Sequence, residues 1–137
     1  VAGEIQDAVK GTNVKLSILP VEKMTAVEIK NEIAASGALI ASRYHSCVAG
    51  LSAGVPTLVI GWHYKYDELL GNYGQEKWIL SNHDCDSQKL MAKYDEFMDS
   101  RQENLRIIAA RKEIVRQKVL EVGRQMMERA GVLQNES

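Results

Sequence analysis

Residues 14–19 (VKLSIL) alternate apolar and polar side chains and stop at Pro20, the pattern of a strand with one buried face. Thr25 and Glu28 stand three apart, as in a capping box, so the spacing predicts a helix over 26–35, stopped by Gly37. Residues 38–42 (ALIAS) are a short apolar run and read as a buried strand. Residues 43–46 (RYHS) form a turn, and 47–53 (CVAGLSA) a helix of small residues, with Gly54 just past its end. Residues 56–61 (PTLVIG) are β-branched without polar alternation, which suits a parallel strand covered on both faces. A helix begins over 66–70 and breaks near Gly71 and Gly74, and 78–80 read as a last short strand. Residues 84–87 offer caps for a helix through Met98. Ser100 and Glu103 repeat the capping-box spacing at the head of a long helix. In that helix Ile108, Val115, Val119, Val122 and Met126 make one apolar stripe, and Gly131 ends it.

This alternation predicts an α/β fold: a Rossmann-like, doubly wound parallel sheet flanked by helices on both faces, with a long C-terminal helix. Residues 1–137 make one domain, of which 84–131 are the helical part; no repeat or linker divides them. In such sheets ligands bind where strands pass into helices at the carboxyl edge. The turn at 43–46 and the segment 62–65 both occupy such places. They meet at one edge if their two strands are neighbours.

Composition narrows the classes. The chain has 137 residues, 45% of them apolar, enough to bury one core. A net charge of −1 gives no reason to expect nucleic acid or a membrane as partner. The basic residues between Arg101 and Arg129 alternate with Glu and read as a solvated helix face. The longest apolar runs are strand-sized, too short to span a bilayer. Cys47 and Cys85 form no CxxC pair, which suits a reduced, cytoplasmic setting. Cys47, in an apolar helix, reads as a buried thiol and not as a nucleophile. His63, His83 and Cys85 lack zinc-site spacing, so no metal or cofactor is expected. The first residue is Val, and the chain reads as a fragment of a larger protein.

The turn carries the pointed chemistry. Arg43 offers a planar fork of donors that matches a carboxylate or phosphate. His45 brings the side chain that exchanges a proton near neutral pH. Ser46 reads as the N-cap of the following helix, whose free N–H groups and dipole favour an anion. Lys65 brings a second cation from the next segment. A plainer reading stays open at this point: Arg43 paired with a carboxylate at the core edge, and His45 as a capping residue. Trp62, Tyr64 and Tyr66 flank Lys65 and either stack on a sugar or cover the sheet edge.

The segment ALIASRYHSCVAGLSAGVPTLVIGWHYKYDELL, residues 38–70, resembles the carboxyl-terminal half of the polysaccharide pyruvyl transferase family. The shared pattern is an apolar strand, Arg-x-His-Ser, a small-residue helix, Gly-x-Pro, a second apolar strand and a Lys beyond it. Here it is carried by Arg43, His45, Ser46, Gly54, Pro56 and Lys65. The resemblance implies a single domain of a two-domain, GT-B-type protein. It implies phosphoenolpyruvate as donor, contacted by Arg43, His45, Ser46 and Lys65, with His45 as the general acid. It also implies a sugar acceptor of a cell-surface or exported polysaccharide. A lipid-linked acceptor would place the protein at the inner face of the membrane. The acceptor is expected on an amino-terminal domain outside this chain, and so is the base for the sugar hydroxyl. Nucleotide-sugar enzymes of the GT-B type carry a Glu in the helix after the motif, whereas no Glu lies between Ser46 and Gly54. That departure favours a smaller anionic donor over the alternative of a nucleotide sugar. The non-catalytic alternative is an interaction domain whose helix over 100–130 docks a partner or forms a homodimer.

Overall fold

The computed structural model describes residues 2–61, 63–83 and 85–131. From residue 25 onward the predicted order of elements holds. The helix α1 (Ala2–Val9) precedes α2 (Ala26–Ala35), β1 (Leu39–Ala41), α3 (Tyr44–Ala53), β2 (Thr57–Ile60) and α4 (Tyr64–Asn72). Then come β3 (Ile79–Leu80), α5 (Ser87–Asp99) and α6 (Arg101–Arg129). The strands pair in parallel in the order β1-β2-β3, with Leu39 opposite Thr57 and Val59 opposite Ile79. The fold is α/β with a parallel sheet, as expected, but among the described residues the sheet has three strands and its order never reverses. It therefore lacks the reversal of strand order that defines a doubly wound sheet.

The predicted strand over 14–19 does not form. This segment lies outside the sheet, with Val14 60% and Ile18 46% exposed. Alternation marks which side chains share a face, but a strand also needs a neighbour for its backbone groups. Among the described residues β1 pairs only with β2.

Capping explains where the helices begin. Thr25 and Glu28 close the predicted capping box: the Glu28 N–H donates to Thr25 Oγ1 (3.2 Å) and the Thr25 N–H to Glu28 Oε2 (2.7 Å). The Thr25 N–H, and the Thr25 hydroxyl that donates to the same Oε2 at 2.8 Å, hold the Glu28 carboxyl below its usual range. The second box, at Ser100, does not form. Ser100 has φ −85° and ψ 1°, and its N–H bonds back to Glu96 O as the end of α5. An N-cap needs extended ψ to turn its side chain over the helix start. At the head of α5, Asp86 takes the cap, accepting from the Lys89 N–H at 2.8 Å. Asp84 lies outside the described residues.

The core sits on β2 and beneath Trp78. Leu58, Val59, Cys47, Leu51, Leu70, Phe97 and Ile108 are fully buried. Small residues in α3 serve the close approach predicted for them: a Cβ on Gly50 would lie 2.7 Å from both Leu39 Cδ2 and Thr57 Oγ1. Gly54 ends α3 at φ +89°, a conformation that favours glycine. The stripe of α6 packs only in its first half. Ile108 is buried and Val115 partly so, whereas Val119, Val122 and Met126 are each more than half exposed. Among the described residues no helix is long and apolar enough to cross a membrane.

Burial pushes the Cys47 thiol up from its ordinary 9.0 to about 11. An acid whose folded pKa is raised favours the folded state at low pH; the contribution is whole below pH 9.0 and is lost as pH climbs toward 11. Alkylation of the native protein at pH 8 should modify the partly exposed Cys85 and spare Cys47 until denaturant is added. Mass mapping of the labelled peptides checks this, and equal labelling of both thiols in the native state would contradict the burial.

Candidate functional site

At each of the two βα junctions at the carboxyl edge an extended N-cap residue leads into the helix. At the first, Arg43 is extended (φ −99°, ψ 128°) and serves as N-cap of α3 without a side-chain cap bond. The helix therefore begins at Tyr44, and the reading of Ser46 as N-cap is corrected: Ser46 lies in the first turn, its N–H bonded to Arg43 O at 3.0 Å. The N–H groups of Tyr44 and His45 stand ahead of the first intrahelical bond, at the positive end of the α3 dipole. No acidic residue occupies that first turn.

At the second junction His63 is the N-cap of α4, its Nδ1 accepting the Lys65 N–H at 3.3 Å. Helix α4 therefore starts at Tyr64, two residues earlier than predicted, and Lys65 sits in its first turn. Trp62 lies outside the described residues.

Because β1 and β2 are neighbours, the two junctions meet as the sequence anticipated. Tyr66 ties them together. Its hydroxyl donates to Ser42 O at the end of β1 (2.8 Å). Its ring lies so close to Gly61, at the end of β2, that a Cβ there would come within 2.8 Å of it. Its edge also meets Tyr44, with ring centroids 5.8 Å apart at 65°. A phenol spanning both strand ends fixes α4 against α3, so Tyr66 covers the sheet edge in the way one of its two sequence readings allowed.

Between the helix starts is a cleft of about 520 Å³ lined by Tyr44, His45, Tyr64, Lys65 and Glu68. It brings together two of the candidate residues, His45 and Lys65, both exposed. Arg43 is exposed at the head of α3, outside that lining. Ser46 lines a smaller, mostly apolar groove against α2 with Ile29 and Ile33, and His45 stands on the rim of both. Among the described residues neither Arg43 nor Lys65 has a carboxylate partner, so the ion pair considered for Arg43 does not form. Lys65, His45 and the start of a ten-residue helix face one solvent space, an arrangement suited to a small anion.

Sequence reading passed over Tyr44 and Glu68, and gave Tyr66 no definite partner. The Tyr66–Ser42 bond joins residues 24 apart, which no local spacing encodes. Glu68 had a usable signal: three residues after Lys65 is the same face of a helix, once that helix is known to start at Tyr64.

Residues 5–64 match the family model described as polysaccharide pyruvyl transferase. No curated protein and no solved structure matches the chain.

Proposed function

We propose, from the match of residues 5–64 to the polysaccharide pyruvyl transferase family model, that the cleft binds phosphoenolpyruvate and passes the pyruvyl group to a sugar. The observation that carries this reading is the meeting of His45 and Lys65, from two separate βα junctions, in one cleft of about 520 Å³. Phosphoenolpyruvate has two anionic ends. Lys65 with the free N–H groups of α3 takes one end in the cleft, and Arg43, exposed at the head of α3 outside the lining, reaches in to match the other bidentately. Ketal formation requires a proton on the methylene carbon and a sugar hydroxyl on its neighbour. His45 supplies the proton, and fixed cations act where charge grows on the departing phosphate. The acceptor is a sugar diol of a polysaccharide or its precursor.

A titration of phosphoenolpyruvate against UDP tests the donor. Phosphoenolpyruvate should saturate the chain and UDP should not. Saturation by UDP alone would make the donor a nucleotide sugar.

A further inference from the structure

Glu68 is out of place in a site that holds only an anion. It is the one carboxylate among the described residues lining the cleft, and it repels both ends of the donor. It does not neutralise Lys65, and among the described residues it has no ion-pair or hydrogen-bond partner. The three-residue spacing from Lys65 puts it on the same face of α4, and both line the cleft with Tyr44 and His45 from the start of α3. An exposed, unpaired carboxylate beside an anion site suits a step in which a neutral hydroxyl must lose a proton next to the bound anion. Tyr44 and Tyr64, 37% and 66% exposed, frame the same cleft with faces on which a sugar ring can pack.

Resting on the pyruvyl-transfer reading, we propose that Glu68 is the general base for the attacking sugar hydroxyl. Protonated His45 gives its proton to the methylene carbon, while Glu68 takes the hydroxyl proton and the sugar oxygen bonds to the adjacent carbon. The bond from that carbon to the phosphate oxygen then breaks, and its electron pair leaves with phosphate. The second hydroxyl closes the ring and gives its proton to His45, and the proton on Glu68 departs with phosphate. The diol has lost two protons, one now on the new methyl group and one on phosphate. Both side chains are back in their starting states.

The test compares the native intact protein with Glu68→Gln and Glu68→Asp. It measures phosphoenolpyruvate binding, phosphate release with methyl glycosides that present 1,2- or 1,3-diols, and the pH dependence of kcat/KM. Glu68→Gln should bind phosphoenolpyruvate at least as tightly as the native protein and release phosphate about a hundredfold more slowly. The acid limb of its pH profile should vanish, and Glu68→Asp should recover part of the rate. Full turnover by Glu68→Gln with an unchanged pH profile would overturn the assignment alone. So would a loss of rate that tracks a loss of donor binding. A native protein that neither binds phosphoenolpyruvate nor releases phosphate with any of these acceptors would overturn the pyruvyl-transfer reading, and this inference with it.

Discussion

Trp78→Ala should destabilise the domain by about 3–5 kcal/mol, the range for removing a buried aromatic side chain. Trp78 is fully buried. Its ring meets Phe97 edge-on, with centroids 5.2 Å apart at 74°, and its Nε1–H donates to Asn104 Oδ1 at 2.8 Å. Those two contacts fasten α5 and α6 to the end of the sheet. Truncation therefore empties a large volume and also strands a buried acceptor. Asn104 Nδ2 is already buried without a partner among the described residues, so Asn104 would lose its one satisfied group. Domains of this size are stable by only about 5–15 kcal/mol, so the loss is a large share of the whole. Urea unfolding of the two proteins measures it. A change under about 1 kcal/mol would show that Trp78 does not anchor the helices.

Arg43→Ala and His45→Ala should each lower turnover by about a hundredfold to ten-thousandfold in the intact protein, with little change in stability. Both side chains are exposed, and among the described residues Arg43 has no partner to lose. Unfolding midpoints close to native would separate this loss from damage to the fold. The two variants should fail differently. Arg43→Ala removes a donor clamp and should raise the KM for phosphoenolpyruvate. His45→Ala removes the proton source and should act mainly on kcat. Arg43→Lys keeps the charge but loses the bidentate fork, so it should recover only part of the affinity. Normal phosphate release by both alanine variants would contradict the assignment of either residue.

How far the sequence spoke for itself depended on the range of the interaction. The Thr25–Glu28 cap, the close-packed α3 with Gly50 and Gly54, and the buried strand β2 were all readable because each is decided within a few residues. Ser46 and Ser100 misled in different ways: Ser100 does stand at the head of α6, but its backbone angles keep its side chain from capping, whereas Ser46 is not at the cap position. A serine before a helical run suits a cap, but the backbone angles of the junction decide which residue takes that place, and at the start of α3 it is Arg43. Residues 14–19 alternate as a strand should, yet strand formation rests on a neighbour that the segment does not find. The first half of the α6 stripe was legible and packs on the core. Its second half follows the same pattern and stays exposed, since periodicity cannot say where a covering surface stops.

At the site, the cations were legible from residue type and position after buried strands. The tie that brings them together was not. Tyr66 bridges the two strand ends through a bond to a residue 24 positions before it, and only the parallel pairing of β1 with β2 reveals why a tyrosine stands there and a glycine opposite it.

The central claim is that the two helix starts at the ends of β1 and β2 form one binding site for phosphoenolpyruvate. Two-dimensional NMR of the labelled chain, titrated with phosphoenolpyruvate and repeated on His45→Ala, tests it most directly. The amides of Tyr44, His45 and Lys65 should shift together with one saturating curve, and the variant should lose the response. Shifts confined to α6, or none at either helix start, would contradict the account.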